Sequence, residues 1–446
     1  MTSHTHDRDT RAATTLTTIE GAFRKLQAET GSARPSWLQP LQDQAFKVFQ
    51  KTGFPHKKDE DWKYTNLTGF TERSAAYLQN QPSNNNNDHI EALLDKLPLI
   101  DGEIRIVFIN GLHRADLSTT VDQAAGIELT PYSRIDASTG EQIFRQQASN
   151  QNAMIALNTA FLTDGLAIRV AENMRIDIPI HVVFAADGQP AAAQPHLTID
   201  IGQHAEALIV QHHISTGESL TNAVTEITCS EHARLFFIRL QNESEHSMHV
   251  ANQIVRVAKN AHFENVSVDI GSQLARNDLN IDLHGERAHA NLFGLFMSNG
   301  NRHTDNHLRV DHLAPYTTSL EHYRGILSDT ARGVFNGKII VHSGADGTDA
   351  QMNNRNLLLS ERAEIDTKPE LEIYTDEVKC AHGSTTGQLD QNAMFYLQAR
   401  GVPQETARLM LVGAFAREII AHIRSRIPAL ADYLDTIMSE QLPEKV

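Results

Sequence analysis

A cysteine and a histidine near the end of the chain are the residues whose types and spacing best suit chemistry. They stand two positions apart, as Cys380 and His382, in the segment DEVKCAHGSTTG. If this segment is a strand, as the apolar alternation before it favours, both side chains leave the same face. A thiolate and an imidazole suit iron, zinc or an iron–sulfur cluster, but two ligands leave the coordination incomplete. Spacing alone equally allows Cys380 to be a small buried residue and His382 a turn residue.

A second group with possible metal-binding chemistry is the segment HTDNH, in which His303, Asp305 and His307 alternate. Two imidazoles and a carboxylate on one strand face are credible metal ligands, although such a row is also typical of a solvated surface. The other cysteine, Cys229, lies in the apolar run EITCSEHARLFFI and is predicted to belong to the core. The sequence contains no P-loop, no G-x-S-x-G and no H-E-x-x-H, so another chain must supply any nucleotide hydrolysis.

Strands must position most of these residues. From about Glu103, apolar residues recur at every second position, as in GEIRIVFING and IDIPIHVVFAA. Within this region a repeating plan places an alanine between two alternating runs, with successive spacings of 28, 28, 27, 43 and 32 residues. The alanines in question are Ala205, Ala233, Ala261, Ala288, Ala331 and Ala363.

Units of this length are too short to enclose a core alone, but stacked units can share one. The repeat therefore predicts a mainly β protein built on a parallel β-helix, or β-solenoid, with a β-sandwich as the alternative. The interval of 43 residues is interpreted as an excursion from the regular coil.

Helical patterns flank the strands. We predict an N-terminal helical region over residues 1–95, with a disordered start and an Asn-rich linker at 79–88, then a β-helix core over 96–387. A C-terminal helical region follows over 388–446, where Phe415, Ile419 and Ile423 form part of an apolar stripe. Such helices either cap the open end of a solenoid or dock a partner protein, and the two roles are compatible.

Composition narrows the possible functions. The formal net charge of −16 over 446 residues, without a basic cluster, argues against nucleic acid or an anionic membrane as a partner. No stretch is apolar enough to span a membrane or to form a secretory signal, so a cytoplasmic location is expected. Two cysteines are too few for a disulfide framework in a chain of this size.

Longer motifs carry a resemblance to a known family. The words VFNGKIIV, TDAQMNNRNLLLSERAEIDTKPELEIYTDEVKCAHGSTTGQLD and MFYLQARG resemble the carboxy-terminal signature of the SufB and SufD proteins of the SUF iron–sulfur assembly system. Near the other end, DEDWKYTNL resembles the amino-terminal motif of the same family. The low cysteine count and the wording TKPELEIYTDEVKCAHG are closer to the SufD branch than to SufB.

The resemblance implies a right-handed parallel β-helix between two helical regions, in a noncatalytic scaffold subunit. It implies pairing with SufB through the β-helix cores and docking of the ATPase SufC on the C-terminal helices, for which Phe415, Ile419 and Ile423 are the candidates. It also implies that iron or a nascent iron–sulfur cluster is held transiently with SufB, with His382 as a ligand and Cys380 beside it. The isolated chain is expected to be able to pair with itself through the same surface.

Two other functions remain open at this point. A SufB-like scaffold that accepts sulfur needs an accessible, reactive cysteine other than Cys380, and Cys229 is the only candidate in the sequence. A β-solenoid enzyme acting on carbohydrate needs a groove lined by carboxylates on one outer face.

Overall fold

Two ten-stranded sheets, wound into a parallel solenoid of about eight turns, form most of the chain. The computed structural model describes residues 2–29, 35–80, 88–119, 126–144, 151–188 and 192–441. Sheet A contains β1 Ile104–Ile109, β2 Leu112–His113, β5 Ile180–Ala186, β8 Glu206–Ser215, β10 Arg234–Asn242, β12 His262–Asp269, β14 His289–Ser298, β16 Thr318–Leu327, β18 Thr348–Leu358 and β20 Val378–Gly387. Sheet B contains β3 Ile127–Pro131, β4 Leu166–Val170, β6 Ala192–Ala193, β7 His196–Ile201, β9 Leu220–Cys229, β11 Met248–Val257, β13 Leu274–Leu283, β15 His303–His312, β17 Arg332–Val341 and β19 Glu364–Ile373.

The strand order shows how the chain winds. Sheet A runs β2-β1-β5-β8-β10-β12-β14-β16-β18-β20, and the path of sheet B runs β19-β17-β15-β13-β11-β9-β7-β4-β3. From β8 onward the chain alternates between the sheets, and each strand pairs in parallel with the strand one turn later. The predicted parallel β-solenoid is therefore confirmed, and this pairing is incompatible with the alternative β-sandwich.

The repeated alanines mark two different corners of the solenoid. Ala205, Ala233, Ala261 and Ala288 are fully buried and stand just before strands of sheet A, whereas Ala331 stands just before β17 of sheet B. The interval of 43 residues therefore spans one and a half regular turns, and its interpretation as an excursion was wrong. Both halves of every turn alternate in the same way, so the sequence pattern alone did not distinguish the corners.

Nine helices flank or cover the solenoid in the described part of the chain. They are α1 Thr2–Glu29, α2 Leu38–Thr52, α3 Thr68–Tyr77, α4 Asp88–Leu94, α5 Ala137–Phe144, α6 Ala153–Ala160, α7 Gln391–Ala399, α8 Gln404–Arg424 and α9 Pro428–Gln441. None of them is long and apolar enough to cross a membrane.

The N-terminal helices share a core with a helix that lies between strands. The rings of Phe23 and Phe46 stack with centroids 4.0 Å apart, and Phe161, just after α6, meets Phe23 edge-on. Helix α1 begins at Thr2, whereas the sequence predicts a disordered start. The side chains of this helix are described only from Thr14 onward. Most of the predicted linker, residues 81–87, lies outside the described residues.

Candidate functional site at the last turn of the solenoid

Strands β19 and β20 form the last turn of the solenoid and carry the cysteine–histidine pair. Within the described chain β19 pairs only with β17 and β20 only with β18, so each strand has one edge without a strand partner. The hydroxyl of Ser384 on β20 donates a hydrogen bond of 3.0 Å to Thr367 on β19. This bond connects the two strands at the end of the lumen.

Cys380 and His382 both belong to the lumen-facing row of β20. Cys380 is paired with Ala350 and His382 with Met352, and both partners lie in the core of the solenoid. Cys380 is half-buried and packs against that core, whereas His382 is exposed because no further turn of the described chain covers it. The alternation of the strand therefore places the two side chains on one face, at the open end of the lumen.

The two thiols of the chain differ in access. Burial raises the pKa of the half-buried Cys380 thiol, so a metal ion or a nearby cation must promote its ionisation. Cys229 lies fully inside the core, as predicted, where burial raises the pKa of its thiol to about 12. Cys229 is therefore neither accessible nor reactive, which counts against a sulfur-accepting role for it.

The geometry at Cys380 and His382 provides part of a metal site. Among the described residues no group of three or more histidine, cysteine, aspartate or glutamate side chains is arranged to hold a metal ion. A thiol and an imidazole at an uncovered end can, however, ligate iron or a cluster if a second protein supplies the remaining ligands. The site is thus suited to a shared cargo.

The HTDNH segment forms a docking network. Asp305, fully buried on the outer face of β15, accepts hydrogen bonds from Arg276 and Thr65, and His307 approaches it at 3.0 Å. His303 contacts the same Thr65 hydroxyl at 2.8 Å. Although burial by itself raises the pKa of Asp305, the neighbouring His307 and Arg276 hold it well below its usual range.

The network attaches the DEDWKYTNL motif to the solenoid. Arg276 stacks on the ring of Trp62 at 3.7 Å and donates a hydrogen bond of 2.7 Å to the carbonyl of Asp61. Its guanidinium also pairs with Asp278 at 2.7 Å. This docking is not visible in the sequence, because contacts between residues more than 200 positions apart leave no local signal.

A polar groove of about 410 Å³ lies beside this network, between Trp62 and the outer face of sheet B. Four of its five carboxylates are ion-paired: Asp278 with Arg276, Glu372 with Lys338 at 2.6 Å, and both Glu370 and Glu60 with Lys368, at 2.6 and 2.9 Å. Glycoside hydrolysis needs two carboxyl groups that are available to the substrate. These ion pairs therefore argue against a carbohydrate-cleaving site in this groove.

The C-terminal apolar stripe is the inner face of α8, which corrects its assignment as a docking surface. Ile419 and Ile423 are buried with Phe293 and other residues of the outer face of sheet A. Phe415 is half-buried, and the guanidinium of Arg324 covers its ring at 4.5 Å. These three side chains serve the packing of the chain itself because α8 uses its most apolar face to cover the sheet.

Other apolar side chains of the C-terminal helices remain exposed. Leu409 and Met410 on α8 are 42 % and 48 % exposed, and Phe395 and Tyr396 on α7 are 72 % and 58 % exposed. Leu409 and Met410 also line a groove of about 220 Å³ together with Met438 of α9. We refer to Phe395, Tyr396, Leu409 and Met410 as the helical patch.

Comparison with known proteins decides the family. The model of the SUF system FeS cluster assembly, SufBD core domain, matches residues 183–415, and that of the SufBD protein N-terminal region matches residues 19–182. The chain belongs to the SufBD family. This membership confirms the resemblance found in the sequence motifs and places the chain in iron–sulfur cluster assembly.

Relatives of the SufBD family match along most of their length. The iron–sulfur cluster assembly protein SufD of Escherichia coli is 31% identical over 396 residues, which cover 86% of this chain and 89% of that protein. An iron–sulfur cluster assembly SufBD family protein of Synechocystis sp. is 30% identical over 419 residues, or 90% of each chain. SufD of Bacillus subtilis is 23% identical over 404 residues, covering 86% of this chain and 90% of that protein. Two of these relatives are SufD proteins, so the chain is SufD-like.

Proposed function

We propose that this SufBD chain is the SufD-type scaffold subunit of the SUF system, and that it contributes His382 to iron or a nascent cluster shared with a SufB-type partner. The observation that carries the proposal is an exposed imidazole at the uncovered end of the solenoid, beside the half-buried thiol of Cys380. In this role the chain has no catalytic activity of its own, and the metal and sulfur are its cargo. Its cytoplasmic location stays a prediction.

The free edges of β19 and β20 are the proposed contact with the SufB-type partner. Unpaired strand edges present a row of backbone donors and acceptors that another strand can satisfy. Because His382 lies on β20, pairing at this end brings ligands of the partner next to the imidazole. In the absence of that partner, a second copy of the chain is the expected occupant of the same edges.

Replacement of His382 tests the cargo site. We expect His382→Ala, in the complex purified with its SufB-type and SufC-type partners, to lower iron affinity by at least the roughly tenfold that losing a hydrogen-bond partner of a metal ligand costs. Iron bound per complex, measured anaerobically after loading with ferrous iron, is the readout. His284→Ala is the matched control, because His284 is also exposed but lies at a turn after β13. Equal iron contents in the two variants would refute the role of His382.

Replacement of Cys380 separates a ligand from a packing residue. Cys380→Ala removes the sulfur but keeps a small apolar side chain against the core, so folding should be nearly unchanged. If the thiol ligates the cargo, the iron content falls with intact complex assembly. If the thiol only packs against the core, the iron content stays at the wild-type value.

The helical patch is the proposed docking site for the ATPase SufC, in place of the buried stripe. It has four exposed apolar side chains and lies at a groove, and a helix or loop of a partner could bury such a surface. SufC docking thus stays on the C-terminal helices, as predicted from the sequence, but the proposed contact residues are those of the helical patch.

A charge in the helical patch tests this docking. We expect Met410→Glu to weaken binding of the SufC-type ATPase by about 2 kcal/mol or more, because a carboxylate would be desolvated in the interface. Ala421→Glu is the control, since Ala421 is exposed on the same helix but lies outside the patch. Titration calorimetry with purified ATPase measures both variants. Wild-type binding by Met410→Glu, with normal circular dichroism, would remove the patch from the interface.

A further inference from the structure

The lumen of the solenoid is apolar in one part and polar in another. On the sheet A strands an apolar row that includes Leu235 and Phe263 is followed along each strand by buried polar side chains. Most of the charged ones are compensated: Arg239 pairs with Asp269 at 2.6 Å, and Glu243 accepts a hydrogen bond of 2.6 Å from Thr221. Buried charges normally require such partners.

Glu321 departs from this rule. It lies on β16, shares the lumen-facing row of Tyr323 and is 0 % exposed. Neither carboxyl oxygen has a hydrogen-bond partner among the described residues. Burial raises the pKa of Glu321 to about 8, so the side chain is mostly protonated near neutral pH. The protein therefore holds a neutral, unpartnered acid inside the lumen.

The register places this acid beneath the candidate cargo site. Glu321 on β16 is paired with Met352 on β18, and Met352 is paired with His382 on β20. All three belong to lumen-facing rows, and two strand spacings separate the first from the last, or roughly 10 Å between Cα atoms. A single methionine side chain thus lies between the buried acid and the exposed imidazole.

We propose that Glu321 is a charge-compensating residue for the cargo site, which loses its proton to solvent when a divalent cation binds at His382. The inference rests on the proposed function. The step is balanced: the carboxylic acid becomes a carboxylate, one proton leaves, and the new negative charge offsets part of the charge of the cation. No covalent bond other than the O–H bond of Glu321 changes.

The other titratable groups around Glu321 do not take over this role. Burial raises the pKa of Tyr323 and lowers that of His312 to about 4, so both stay neutral around neutral pH. Arg239 and Asp269 are paired with each other at 2.6 Å. On sheet B the lumen-facing Asn306, Leu308 and Phe335 carry no titratable group. The experiment removes the thiol of Cys380, and the imidazole of His382 is present in both complexes that it compares.

Proton release on metal binding tests the proposal. The complex with SufB-type and SufC-type partners, carrying Cys380→Ala, is titrated anaerobically with ferrous iron in buffers of different ionisation enthalpy. We expect Glu321→Gln to release up to about one proton fewer per iron at pH 7 and to bind iron roughly tenfold more weakly. Glutamine has the shape of the protonated acid, so the fold is preserved. An unchanged proton count overturns the proposal.

Two further measurements keep the outcomes distinct. In the wild-type complex, difference infrared spectroscopy should show a protonated carboxyl band that disappears on iron loading, and persistence of that band also overturns the proposal. His382→Ala addresses the proposed function separately. If it binds iron like the wild type, the cargo site and this inference fail together. If it loses iron while Glu321→Gln keeps the wild-type proton count and affinity, only the role of Glu321 fails.

Discussion

Asp305→Ala is expected to lower the free energy of unfolding by about 3 kcal/mol, the lower end of the range for breaking a buried ion pair. Asp305 is 1% exposed and accepts hydrogen bonds from both Arg276 and Thr65. Its removal leaves the buried guanidinium with the ring of Trp62 and two polar partners, Asp278 and the carbonyl of Asp61. The loss falls at the low end because Asp278 still compensates part of the charge.

The control for this substitution lies two strands away on the same sheet. Arg332 and Glu364 form an ion pair on β17 and β19, but their side chains are 61% and 57% exposed. Glu364→Ala should therefore change stability by less than about 1 kcal/mol. Urea unfolding of the two variants measures the difference. Similar losses in both would show that the buried network contributes no more than a surface pair.

The same substitution has a local consequence. The network holds Trp62 and Thr65 of the DEDWKYTNL motif on the solenoid. Asp305→Ala should therefore speed proteolytic cleavage near the motif even under conditions where the solenoid remains folded. This readout distinguishes release of the motif from a general loss of stability.

The solenoid was predictable because its signal is local and repeated. Each turn carries period-two alternation and a small corner residue such as Ala233 or Ala261, so a spacing near 28 residues is visible in the sequence. The corner that each alanine occupies depends on pairing with the next turn, which no local pattern records. That is why the sequence grouped Ala331, which precedes a strand of sheet B, with the alanines that precede strands of sheet A.

Two helical features show a different limit. Every side chain of α6 is buried, so this helix has no polar face and gave no amphipathic signal among the strands. The stripe of α8 did give a strong signal, but such a stripe only identifies the face that is covered. Ile419 is covered by the chain's own sheet, and the sequence could not distinguish that from coverage by a partner.

The candidate site was predictable in residue type but not in setting. The motif and the strand period together placed Cys380 and His382 on one face, and the structure agrees. His382 is exposed because no further turn follows β20 in the described part of the chain, and this depends on the solenoid as a whole and not on the local sequence. The position of the buried acid Glu321 beneath His382 is visible only in the register of three strands. Residue pairs across turns are therefore the information that the sequence lacked.

The contributions of two buried lumen glutamates, Glu243 and Glu321, to the free energy of unfolding should change with pH in opposite directions. Burial alone raises the pKa of Glu243, but His249 at 2.8 Å and the hydroxyl of Thr221 bring it down to about 2. Its folded pKa lies below the ordinary value of 4.5, so its stabilisation is present above pH 4.5 and is lost as the pH falls toward 2. The shift corresponds to about 3 kcal/mol.

Glu321 has the reverse linkage. Its folded pKa of about 8 lies above the ordinary value of 4.5, so the unfolded chain binds fewer protons between these values. The protein therefore loses stability as the pH rises from 4.5 to 8, by up to about 5 kcal/mol. Above pH 8 the penalty is complete and the slope ends.

Urea unfolding of Glu243→Gln and Glu321→Gln between pH 3 and pH 9 measures both effects. Relative to the wild type, Glu243→Gln should be less stable by about 3 kcal/mol at pH 7, and the difference should shrink as the pH approaches 2. Glu321→Gln should match the wild type near pH 4, become progressively more stable than the wild type as the pH rises from 4.5 to 8, and keep that difference above pH 8. Parallel curves for Glu321→Gln and the wild type would mean that this carboxyl is not held neutral by burial. The charge-compensating role beneath His382 would then lose its physical basis, because an acid that is already ionised has no proton to release when a cation binds.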